Sequence, residues 1–156
     1  TALQAGTTWN VIPGEAVLQG TMRTFNRQQR DKLVERAEDL VRGICLATRT
    51  EYEFQSNYIA PPVVNDETMT HLAHKVATRE LGVEQVLQVD QSTLGDDMAF
   101  FLERVPGCYI MVGSGNQPRG LDAGHHSPQF DFDEESLAIG TRILVATALE
   151  YLGKIR

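Results

Sequence analysis

The clearest periodicity in the chain lies between Gln28 and Thr48. Leu33, Ala37, Leu40, Val41 and Ile44 recur at helical spacing with charges between them, and Asn26 stands ahead as a cap, so this stretch is predicted to be an amphipathic helix. Residues 15–25, EAVLQGTMRTF, are rich in β-formers, with Ala16, Leu18 and Met22 on one face. They predict a strand, preceded by a shorter one over residues 7–12, with Pro13-Gly14 as the turn. Residues 51–58 alternate, with Tyr52, Phe54 and Tyr58 on one side and Glu51, Glu53 and Gln55 on the other, as in a strand with one solvated face.

Residues 60–66, APPVVND, break any regular element and predict a linker, with a boundary near Pro62. Beyond it the pattern alternates helix and strand in the α/β manner. Asn65 or Asp66 opens a helix that turns Met69, Leu72, Ala73 and Val76 inward and ends at Gly82. Residues 86–89 predict a short strand, and residues 96–105 a helix closed by Pro106-Gly107. CYIMVGSG, residues 108–115, reads as a buried strand. Asp133, Glu134 and Glu135 suit the start of a last helix. That helix is apolar nearly all round from Leu137 to Leu152 and is expected to be buried, with Gly153 ending it and Lys154 and Arg156 just beyond.

Composition changes this picture little. With 156 residues, 42% hydrophobic and 22% charged, the chain is a soluble globular one. Its net charge of −7 argues against a general binder of nucleic acid or anionic membrane. Cys45 and Cys108 lack zinc-ligand spacing and read as reduced thiols of a cytoplasmic protein. There is no membrane-span-length apolar run and no visible signal peptide. The first residues lack an initiating Met and already look strand-like, which points to a fragment.

Candidate chemistry centres on four histidines. His71 and His74 lie opposite the apolar stripe of their helix and read as a solvated face. His125 and His126 lie between a Gly-rich loop and Pro128, beyond the end of a predicted strand, where α/β proteins place functional groups; a ligand role and a turn or capping role both stand. Asp96, Asp97, Asp131, Asp133, Glu134 and Glu135 can supplement a metal, although helix caps and first turns account for most of them. Arg23 is either a solvated edge charge or a guanidinium fork for a carboxylate, and Asn10 is similarly open. The glycines of STLGDDMAF and VGSGNQPRG form no phosphate loop, and no nucleophile elbow is present.

In order, NVIPGEAVLQGTMRTF, PPVVND, GDDMAFFLERVPGCYIMVGSGN and HHSPQFDFDEESLAIG resemble the metal-dependent N-acyl-amino-acid amidohydrolases, the group of aminoacylase, hippurate hydrolase and auxin-conjugate hydrolase. Carboxypeptidase G and succinyl-diaminopimelate desuccinylase are more distant relatives. The resemblance covers nearly the whole chain. It implies an α/β catalytic domain of the zinc-exopeptidase kind with a dinuclear centre, usually zinc and sometimes manganese or cobalt. An inserted α+β lid commonly makes a homodimer. Residues 1–63 would be part of the lid and residues 64–156 the last part of the catalytic domain.

The resemblance further implies that His126, directly before Ser-Pro, is a metal ligand with His125 its neighbour. Asn10 and Arg23 match lid residues that contact substrate, and Arg23 would pair with the carboxylate of the acyl-amino acid. GDDMAF stands where relatives often have Gly-x-Glu-Asp-Phe, so Asp96 and Met98 depart from the pattern. The other ligands and the Glu-Glu pair carrying the general base precede the lid in that family and have no counterpart here. The expectation is a contribution to cleavage of the amide bond of N-acyl amino acids or small peptide-like substrates, with this chain inactive by itself. The competing expectation is a non-catalytic α+β module that dimerises or binds a small acid.

Overall fold

A computed structural model describes residues 1–154, so the expectation for Arg156 lies outside the described residues. The chain divides into two compact units, Thr1–Pro62 with Ser92–Asp97, and Val63–Gln91 with Met98–Arg156. Most of the regular structure is helical, with one two-stranded sheet among the described residues.

In the first unit, β1 (Ala2–Ala5) pairs antiparallel with β2 (Ala16–Gln19), with Leu3 opposite Leu18 and Ala5 opposite Ala16. The expected strand over residues 7–12 is instead part of the long connection between them, and β2 stops before Met22 and Arg23. With only one neighbour available, the ladder ends where the pairing ends. α1 (Arg27–Thr48) starts as predicted, the Asn26 side chain accepting a hydrogen bond from the Gln29 N–H at 2.8 Å. It ends at Arg49, which takes the left-handed conformation at φ 56°. Val34, Ala37, Val41 and Cys45 are its half-buried apolar residues, whereas Leu33, Leu40 and Ile44 are exposed. No other helix or strand among the described residues packs on α1, so part of its predicted stripe has no cover.

Residues 51–58 form no strand. Their alternating pattern is real, but no ladder partner stands beside them among the described residues. Tyr58 is held another way: the Arg30 guanidinium lies 4.3 Å from its ring centroid and that of Arg27 5.6 Å.

The second unit is built on two helices. α2 (Glu67–Leu81) begins at Asp66, whose carboxylate accepts from the Met69 N–H at 2.9 Å, and ends at Gly82, whose φ of 90° is one that side-chain-bearing residues rarely adopt. It packs against α4 (Glu135–Lys154), burying Leu72, Ala73 and Val76 on one helix and Ile143 on the other. A charged clasp reinforces this seam, with Glu150 accepting from Lys75 Nζ at 2.9 Å and Arg79 Nη1 at 2.8 Å. The Arg79 hydrogen bond first, and then Lys75, hold the Glu150 carboxyl down to about 2. α4 continues through Gly153 to Lys154 rather than ending at the glycine.

α4 is not buried all round. Leu137, Leu144, Val145, Leu149 and Leu152 are exposed, because α2 alone among the described helices and strands covers it, on one side. The predicted helix over residues 96–105 shortens to α3 (Met98–Leu102), which buries only Ala99. Residues 86–89 form no strand.

Residues 108–115 are not a buried strand either. The Asn65 amide stands in for a strand neighbour, donating to the Tyr109 carbonyl at 3.0 Å and accepting from the Tyr109 N–H at 2.8 Å, while the Asp66 N–H donates to the Gly107 carbonyl at 2.9 Å. At the other end the Ser114 carbonyl accepts from the Asp133 N–H at 2.8 Å. The apolar run is thus hung at two points, and Ile110, Met111 and Val112 stay exposed for want of flanking strands.

Replacing Ile143, which is 3% exposed, by Ala should cost about 2–5 kcal/mol in urea unfolding of this chain. Leu144→Ala, at a position 65% exposed, should stay within about 0.5 kcal/mol. Equal losses would mean that the seam is misplaced. Glu150 contributes stability that is present above its ordinary 4.5 and is lost as the pH falls towards about 2. Glu150→Gln should therefore flatten the acid limb of the pH–stability curve between those values, and an unchanged limb would contradict the clasp.

Candidate functional site: the loop carrying His125 and His126

The loop of interest leaves residue 115 and returns at Asp133. It opens with a tight reversal. Asn116 and Leu121 exchange both backbone hydrogen bonds, at 2.8 and 3.0 Å, around a single helical turn over Gln117–Arg119. Gly120 closes that turn at φ 73°. Pro118 lies within it, where a missing N–H costs nothing.

His125 and His126 follow in an exposed turn. The Ser127 N–H donates to the Gly124 carbonyl at 3.2 Å, and the Phe130 N–H donates to the Ser127 carbonyl at 3.0 Å. The two imidazoles differ. His125 packs on Phe130, with ring centroids 4.7 Å apart, and Phe130 in turn stacks on Phe132. His126 has φ 67°, one of two non-glycine residues with positive φ among those described, and no hydrogen bond, ion pair or ring contact holds its side chain. A left-handed residue other than glycine stores backbone strain, and such strain concentrates at functional positions.

The acids of this region divide as well. Asp131 accepts from the Phe132 N–H at 2.8 Å, a purely local bond. Asp133 is the hub. Its carboxylate accepts from the Asn116 side-chain amide, from Arg119 Nη1 at 3.0 Å and from the Glu135 N–H at 3.1 Å. Its carbonyl accepts from Ser136 Oγ at 2.7 Å. The Asn116 amide foremost, then the Glu135 N–H, with Arg119 adding to them, keep the Asp133 carboxyl below its ordinary range. Asp133 therefore starts α4, as its sequence position implies, and also ties the opening of the loop to its close. Asn116 and Arg119 were invisible as partners, since nothing in the spacing of NQPRG points to an acid beyond the histidines.

The other candidates are dispersed. Asn10 lies in the connection between β1 and β2, its side-chain oxygen accepting from Thr8 Oγ1 at 2.9 Å. Arg23 is exposed and lies beyond β2 rather than mid-strand. His71 is on the solvated face of α2, 3.6 Å from Glu67, and His74 is also exposed. Asp97 directly precedes α3, and Asp96 is half-buried before it. Among the described residues no group of three or more His, Cys, Asp or Glu side chains is placed to hold a metal ion. Imidazole is the commonest metal donor, and that of His126 is uncommitted. His126 thus fits as one ligand, and the described residues do not fit as a complete centre. Cys108, its Sγ 3.5 Å from the Met69 carbonyl, has its thiol pushed up by burial first and by Asp66 second, which makes it a poor thiolate.

Over its full length the chain is 35% identical to N-acetylcysteine deacetylase of Bacillus subtilis, covering 39% of that protein. It is 28% identical to the IAA-amino acid hydrolase ILR1-like 4 of Arabidopsis thaliana, with 98% of this chain and 36% of that one aligned. The crystal structure of a Bacillus subtilis protein described as a dinuclear metal-binding peptidase from the M20 family superposes with a TM-score of 0.78 at 33% identity, over 98% of this chain and 41% of that one. The chain thus spans about two-fifths of the length of these relatives. Residues 4–150 match the description of peptidase family M20/M25/M40, and the chain belongs to that family.

Proposed function

We propose that this chain is part of a metal-dependent amidohydrolase that cleaves the amide bond of N-acyl amino acids or small peptide-like substrates. Residues 1–63 then serve as part of a lid that forms a homodimer, and residues 64–156 as the last part of the catalytic domain. The observation that carries this reading is His126, exposed, with a backbone φ of 67° and no side-chain partner among the described residues, within a chain that matches the family from residue 4 to 150. The relatives named for N-acetylcysteine and IAA-amino acids support this substrate class.

Each residue has a separate task. His126 would donate a ring nitrogen to one of two divalent ions, zinc by preference or manganese or cobalt. When bound, the metal pair supplies Lewis acidity and a water of lowered pKa. Arg23, exposed and outside the ladder, is free to receive a substrate carboxylate in bidentate fashion. Asn10 offers an amide donor and acceptor to the acyl or peptide group. His125, packed on Phe130, steadies the turn beside the ligand. The remaining ligands and the general base belong to the part of the family's length that this chain does not span. A non-catalytic module is the second reading, favoured by the lack of a three-ligand group among the described residues. Robust hydrolysis of acyl-amino acids by these 156 residues alone would contradict both assignments.

In the polypeptide that carries this chain, His126→Ala should reduce bound metal and abolish turnover, and normal metal stoichiometry with full activity would remove the role. Arg23→Ala should raise KM for substrates with a free carboxylate far more than for their amides, and equal effects would remove that pairing. Backbone strain at His126 shows in thermal unfolding. His126→Gly should cost no stability, because relief of a left-handed residue offsets the added chain entropy. His125→Gly should lose about 0.5–1 kcal/mol. The reverse order would place the strain elsewhere.

A further inference from the structure

We propose that Asp133 is the positioning residue of the His126 loop, acting through Asn116 and Arg119 as a clamp that holds the imidazole ready for its metal. This rests on His126 being the metal-holding residue. Within the loop the Ser127 N–H to Gly124 carbonyl bond, the Phe130 N–H to Ser127 carbonyl bond and the bonds between Ser127 Oγ and Gln129 shape the turn around His126, and its φ of 67° is retained only where the surrounding chain over-determines it. Beyond that local turn, the side-chain bonds that join the two ends of the loop converge on one carboxylate. Asp133 is only 14% exposed; one of its oxygens takes the Asn116 amide, and the other takes Arg119 Nη1 and the Glu135 N–H.

The consequence is geometric. Asn116 and Arg119 belong to the tight reversal at the opening of the loop, and Glu135 begins α4. The carboxylate therefore joins both feet of the loop and anchors them on the helix that packs on α2. The Asp133 N–H to the Ser114 carbonyl doubles the closure. Charge-assisted bonds of this kind are roughly twice as strong as neutral ones and are directional, so they fix where the loop stands as well as that it closes. A carboxylate used only as a helix cap needs the Glu135 N–H alone; the two further donors are the sign of a second task.

Asp133→Asn separates the two tasks, because Asn caps a helix as well as Asp. It presents an amide hydrogen to the Asn116 amide and abolishes the charge facing Arg119. The reciprocal pair Asn116→Asp with Asp133→Asn restores one donor, one acceptor and a negative charge. Two readouts apply in the polypeptide that carries this chain: amide exchange at Asn116 and Leu121 by NMR, and zinc affinity by chelator competition. D133N should speed exchange at those amides and weaken zinc by about 10-fold to 100-fold, with α4 amides beyond its first turn unchanged. The reciprocal pair should recover most of both. Unaltered zinc affinity in D133N would overturn the proposal even if the loop loosens, since Asp133 would then be structural only. Recovered protection without recovered affinity would also overturn it. If D133N does not fold, Arg119→Ala, which leaves the cap in place, should weaken zinc about twofold to fivefold, and no weakening overturns the proposal. Full zinc retention by His126→Ala instead sinks the reading of His126, and this inference with it.

Discussion

The second unit depends on the seam between α2 and α4. Val76 is fully buried and Ile143 nearly so, and Leu72 and Ala73 complete the sequestered surface. Outside these two helices Ala99 of α3 is the other fully buried apolar side chain described in that unit, so most of its remaining features hang from α2 and α4. Burial of apolar surface is non-directional and fixes only that the helices adhere. Glu150, bonded to both Lys75 and Arg79, adds the directional part.

From that base two polar hooks define the rest. Asn65, just before α2, pairs with the Tyr109 backbone as a strand would, and Asp133, at the head of α4, takes the Ser114 carbonyl. The run between them is stretched from the start of one helix to the start of the other. The same Asp133 then folds the following loop back on itself through Asn116 and Arg119. His126 stands at the far side of that loop in a conformation the local sequence does not favour. The order of dependence runs from packing, which holds the helices, to helix starts, which hold a segment, to that segment's end, which closes the loop carrying the left-handed His126.

What the sequence made legible follows from the range of the forces involved. The caps at Asn26 and Asp66, the stop at Gly82 and the inward residues Leu72, Ala73 and Val76 are local, and the structure shows them where the pattern puts them. Residues 51–58 and 108–115 carry genuine strand patterns, yet strands need neighbours, and no second strand flanks either among the described residues. The same want of cover leaves Leu144 and Leu149 of α4, and Leu40 and Ile44 of α1, exposed. At the candidate site the residues alone left His125 and His126 open, the family resemblance singled out His126, and the structure adds its left-handed backbone. The clamp was out of reach, because the pairing of Arg119 with Asp133 is a product of tertiary closure and leaves no periodic trace.

The account turns on one imidazole of this chain entering a metal centre completed elsewhere in the family's length. The most direct test is cadmium NMR on the polypeptide that carries this chain, loaded with cadmium and labelled with nitrogen isotope at histidine. The account predicts a scalar coupling between bound cadmium and a ring nitrogen of His126, with none to His71, His74 or His125. Coupling to one of those three in its place, or no coupling to any histidine of this chain, would contradict it.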